Sequence, residues 1–77
     1  MEELLETIVK AMVDDMESVR VNILETDSTT IYELHVAKED IGKVIGKNGR
    51  NITALRIIIA AATSKIGGKR ALLEVAD

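Results

Sequence analysis

The sequence predicts a two-layer α+β domain with the element order α-β-β-α-α-β, in which helices cover one face of a three-stranded sheet. Three observations lead there. Apolar spacing switches from a helical period to a period of two after residue 18, and returns to the helical period after residue 37. A polar run, "ETDSTT", separates two alternating segments, and glycines punctuate the helical half. The 77 residues are the length of one domain.

The first helix is expected over residues 2–14, "EELLETIVKAMVD", with Leu5, Ile8, Val9 and Met12 on one face. Glu2 and Glu3 suit the positive end of its dipole. "DDMES" breaks the pattern. In "VRVNIL" Val19, Val21 and Ile23 share a face, and in "IYELHV" Tyr32, Leu34 and Val36 do, so the two runs form a β-hairpin across the polar link. "AKEDIGKVIG" is a second helix that groups Ile41, Val44 and Ile45, with Gly46 where a C-terminal cap belongs. A third helix is expected from Arg50 to about Lys65, ended by "IGGK". "RALLEVA" is the last strand, with Ala71, Leu73 and Val75 on one face.

Composition excludes several function classes. The chain is 47% apolar and 30% charged with no proline, which fits a compact domain and not a disordered tail. A domain this small buries only about 60% of its unfolded surface. Cysteine is absent and histidine occurs once, at His35, so no disulfide, no metal site and no cofactor is expected. The longest apolar run, "IIIAAA", is far short of the roughly 20 residues that span a bilayer, and the start lacks a secretory pattern. A cytoplasmic protein without a membrane role is expected. His35 reads as a solvated strand residue, and Ser18, Ser28 and Ser64 have no base to activate them. Glu2/Glu3 and Asp14/Asp15 read as solvating helix ends. No catalytic residue is expected, and the chain is not read as an enzyme.

Charge is divided unevenly. Residues 1–37 hold nine acids and two bases, whereas residues 38–77 hold eight bases and four acids. A basic region on an acidic chain is the footprint of anion binding. Its centre is Ile41–Arg50, "IGKVIGKNGR", with three glycines and three bases. A P-loop needs G-x-x-x-x-G-K-[ST] after a strand. Here Gly42 and Gly46 are one residue too close, Asn48 replaces the hydroxyl, and a helix precedes the run. G-x-G-x-x-G is absent too. What stands is Gly46-Lys47-Asn48-Gly49, a G-x-x-G turn between helices. Two residues without Cβ would let a sugar-phosphate backbone approach the loop's N–H groups, with Lys47 and Arg50 adding charge.

"VIGKNGRNI", Val44–Ile52, resembles the signature of the K-homology (KH) domain: an aliphatic pair, G-x-x-G, then an aliphatic residue. The element order is that of the type II KH fold, and the resemblance covers residues 1–77 as a single KH domain. Its length, acidic first helix and ending "KRALLEVAD" are similar to the small stand-alone bacterial KH proteins of the KhpA class. The resemblance implies a mixed sheet, with the last strand parallel to a neighbour. It implies single-stranded RNA as the partner and an RNA-binding adaptor or chaperone role in post-transcriptional regulation. Gly46, Lys47, Asn48 and Gly49 would hold the backbone, Val44 and Ile45 would help floor the bases, and Lys43 and Arg50 would face phosphate. Ile52 would belong to the core. With Tyr32 as the one aromatic, and that on an apolar strand face, ring stacking of the RRM or OB kind is excluded.

The third helix is apolar on more than one side. Leu55, Ile59, Ala62 and Ile66 make a core face, while Ile57 falls nearly opposite, flanked by Ala54, Ala61 and Ser64. These four are candidates for a homodimer face, or for a heterodimer with a larger KH protein, the partner that the resemblance implies. Two rival readings differ in class: a protein-interaction module acting mainly through this face, and a small phosphate- or nucleotide-binding enzyme.

Overall fold

The computed structural model describes residues 1–63 and 69–76. Helix α1 spans Glu2–Met12, strands β1 and β2 span Arg20–Glu25 and Thr29–His35, helix α2 spans Ile41–Ile45, helix α3 spans Arg50–Thr63, and strand β3 spans Arg70–Ala76. Short 3₁₀ turns stand at Met16–Ser18, Lys38–Asp40 and Lys47–Gly49. The α-β-β-α-α-β order is the expected one. The expected end of α3 near Lys65 and its "IGGK" stop lie outside the described residues.

The sheet order is β1-β2-β3. β1 pairs antiparallel with β2, with Val21 opposite Leu34. β3 pairs parallel with β2, with Tyr32 opposite Leu73, so the sheet is mixed. A parallel neighbour requires a crossover, and α2 and α3 supply it. The alternation of both hairpin strands places Val19, Val21, Tyr32, Leu34 and Val36 in the core with Leu5, Val9, Val44, Ile52, Leu55, Ile59 and Leu73. Side chains pointing the other way leave Asn22 beside Glu33, and Ile31 between Leu24 and Leu72, on the face without helices.

Two side chains depart from the expected pattern. Ile23, grouped with Val19 and Val21, is 41% exposed, where it borders an open acid-rimmed groove lined by Met1, Glu2, Glu3 and Glu6. Ala62, placed on the core face of α3, is exposed. A Cβ on Gly42 would meet nothing within 4 Å.

Candidate nucleic-acid interface

The glycine turn is built by two helix ends. α2 stops at Gly46, where φ is 76° and ψ 170°, and the Gly46 N–H donates to the Gly42 carbonyl at 2.8 Å. Lys47–Gly49 then form one 3₁₀ turn, closed by the Gly49 N–H donating to the Gly46 carbonyl at 3.1 Å. Asn48 sits in the left-handed region at φ 57°, ψ 26°, and Gly49 follows at φ 73°. Asparagine is among the few side-chain-bearing residues that tolerate that region. As the first two residues of a turn, Lys47 and Asn48 have no acceptor within it for their N–H groups. Donors that a turn leaves over are what an anion accepts from.

The two glycines differ in what surrounds them. A Cβ on Gly49 would lie 3.9 Å from Ile52 Cγ2, in ordinary contact with open space beyond. A Cβ on Gly46 would stand 2.6 Å from Asn51 Cγ and 2.9 Å from Asn51 Cβ and N. The absence of a side chain at Gly46 therefore makes room for Asn51, besides ending α2 as expected. Asn51 also donates from Nδ2 to the Lys43 carbonyl at 2.9 Å, satisfying an end group of α2.

Of the expected contacts, Lys47, Asn48 and Arg50 are exposed. Neither Lys47 nor Arg50 enters an ion pair among the described residues. Ile45 is 37% exposed and stands beside the turn. Val44 is fully enclosed at 0% exposure, so its expected role in flooring bases is corrected to one in the core. Ile52 is core, as expected.

Lys43 carries charge that is already engaged. Its ammonium pairs with the exposed carboxylate of Asp14 and, at 3.2 Å, with the buried carboxylate of Asp40. The hydrogen bonds to Asp14 and then to Asp40 hold the Lys43 pKa above its ordinary value. The hydrogen bond from the Asp15 N–H is the largest influence holding Asp40 below the usual carboxylate range, with Lys43 contributing. Sequence reading treated Asp14 as a solvated helix end and gave Asp40 no tertiary role. His35, expected to be solvated, is half-buried and its Nε2 lies 2.8 Å from Glu33 Oε1. That contact, then Asn22, draws Glu33 below its ordinary pKa.

On α3, Ile57 is 64% and Ile58 39% exposed, and Ala54 and Ala61 are exposed on the same helix. Ser64, the fourth residue of the expected dimer face, lies outside the described residues. No group of histidine, cysteine, aspartate or glutamate fit to hold a metal is found among the described residues.

A three-stranded mixed sheet with helices on one face, crossed by a helix–G-x-x-G–helix corner, defines a KH domain of type II topology. The chain belongs to the KhpA/KhpB KH domain family, whose model matches residues 2–75. It is 46% identical over 77 residues to the RNA-binding protein KhpA of Listeria monocytogenes, covering 100% of both chains. It is 47% identical over 75 residues to that of Clostridium acetobutylicum, covering 97% of this chain and 99% of the relative. With that of Borreliella burgdorferi it shares 41% identity over 75 residues, covering 97% and 90% respectively. No solved structure matches the chain. The family is not one of enzymes. No helix among the described residues is long and apolar enough to cross a membrane.

Proposed function

We propose that this chain binds single-stranded RNA by capturing its sugar-phosphate backbone on the Gly46–Gly49 turn. The observation that carries the reading is the turn itself, whose Lys47 and Asn48 N–H groups lack acceptors within it and are flanked by the side chains of Lys47 and Arg50, which enter no ion pair among the described residues. Backbone donors and two cations neutralise phosphate without reading bases. Ile45 offers an aliphatic surface beside them. With no aromatic ring in the turn, affinity is modest and sequence preference loose. Within this reading residues 1–77 form a single KH domain that works in the cytoplasm as an RNA-binding adaptor or chaperone in post-transcriptional regulation. The relatives' names as RNA-binding proteins support the RNA-binding part of this reading.

A second reading rests on the exposed Ile57 of α3. Ala54, Ile57 and Ala61 form a face where small residues let two helices approach closely, as a homodimer or with a larger KH protein. Association through this face is compatible with RNA capture, since the turn and this face are separate features of the fold; it is a rival only where the chain acts mainly through it.

The test of the first reading is the double substitution Lys47→Asp/Asn48→Asp, with circular dichroism as the folding check. Both positions project from an exposed turn, so the fold is expected to persist while affinity for a single-stranded oligoribonucleotide is lost. About three neutralised phosphates give a slope near −2 for log K against log salt. Equal affinity of the two proteins, or a salt-independent signal, would falsify the clamp.

A further inference from the structure

Asn51 stands one residue beyond Arg50 in the first turn of α3, and backbone capture as described does not use it. Its side chain nonetheless joins the two sides of the glycine turn. Nδ2 donates to the carbonyl of Lys43, eight residues earlier, and the rest of the side chain fills the space that a Cβ on Gly46 would need. α2 has five residues, far below the length at which a helix supports itself. Its end must be held from outside. The Asn51 hydrogen bond does so from α3, and it closes over Gly46 the segment in which Asn48 and Gly49 keep positive φ.

We propose that Asn51 is a positioning residue for RNA binding: it holds the Gly46–Gly49 turn in the form that leaves the Lys47 and Asn48 N–H groups without an acceptor in the turn, without itself touching RNA. The inference rests on the reading of the turn as an RNA clamp. A loop already held in its binding form loses less freedom on association, and this is where the affinity gain arises. Gly46 and Asn51 then act as one unit, the bare position existing so that the amide can reach across it.

The test uses the whole chain, a labelled mixed-sequence single-stranded oligoribonucleotide, and amide NMR of the free protein. Asn51→Ala is expected to keep its circular dichroism, to shift or broaden the amide signals of Lys47, Asn48 and Gly49 before RNA is added, and to bind about three- to tenfold more weakly. The salt slope stays at its wild-type value, because Lys47 and Arg50 are intact. Asn51→Asp has the same size but places an acceptor against the Lys43 carbonyl, and loses at least as much. A measurement on the unaltered protein needs no variant: the Asn51 side-chain amide should exchange with solvent more slowly than that of Asn48, which has no such acceptor among the described residues. Equal exchange of the two overturns the proposal. Wild-type affinity in Asn51→Ala also overturns it. Weakened binding with unchanged loop signals does so as well, since it would place Asn51 in contact with RNA. If Lys47→Asp/Asn48→Asp binds as tightly as wild type, it is the clamp reading that fails, whatever Asn51 does.

Discussion

The carboxylate of Asp40 accepts the backbone N–H of Asp15 at 3.0 Å, tying the start of α2 to the segment that leaves α1 across 25 residues of sequence. Asp40 is 2% exposed, and it is the one buried charged side chain among the described residues. A buried carboxylate is tolerable only with partners, and here a backbone donor and the Lys43 ammonium provide them.

The first prediction concerns acid stability. The folded-state pKa of Asp40 is lowered, so the stability it contributes is present above the unfolded value near 3.9 and is lost as pH falls through the folded value. Asp40→Asn should therefore lower Tm by several degrees at neutral pH, and the gap to wild type should close below about pH 4. Glu33 is also held below its ordinary value, by His35 and then Asn22, so the variant keeps part of the wild-type acid sensitivity. Thermal melts from pH 7 to pH 2 would decide it. A gap that stays constant through that range would show that Asp40 acts through packing alone.

The second prediction concerns Lys43. Two carboxylates face one ammonium, so the cluster carries a net negative charge near the turn. Asp14 is 84% exposed at its side chain and can be changed at little cost to folding. Asp14→Asn should tighten RNA binding roughly two- to fivefold at low salt. The gain should vanish in a Lys43→Gln background. Binding curves for the four proteins of this double-mutant cycle test it, with Glu17→Gln as the control for simple loss of charge. A gain of the same size in Lys43→Gln, or in the control, would mean that Lys43 has no part in it.

The third prediction concerns association through α3. Sedimentation of the wild-type protein should show a concentration-dependent dimer, and Ile57→Glu should sediment as a monomer with unchanged circular dichroism. A wild-type chain that is monomeric at about 100 μM, where even weak dimers are populated, would sink the interface.

The parts of this fold that were legible in the sequence are those with a local cause. Periodicity marked Leu5 and Val9 as core, alternation marked Tyr32 and Leu34, and the position of Gly46 marked the end of α2. The parts that were not legible depend on residues far apart in the chain. Nothing local says that Lys43 meets Asp14, 29 residues earlier, or that Asp40 meets the Asp15 N–H. Val44 was misplaced because a five-residue helix is too short for its pattern to separate the side under α3 from the side beside the turn. Ile23 was misplaced because alternation gives the face of a strand but not whether a helix extends over it. Asn51 carries no pattern at all; its role appears only once two helix ends are brought together.

The parallel register of β2 and β3 has a consequence for how the chain reaches its native state. Tyr32 meets Leu73 only after α2, the glycine turn and α3 have been made, so the hairpin can form early while α3 lacks the strand it packs on. During synthesis the Gly46–Gly49 corner emerges from the ribosome before β3 does, at a stage when the side of α3 that packs on β3 is still uncovered. Pairing of β3 with β2, and not formation of the turn, is then the step that completes the cover of α3.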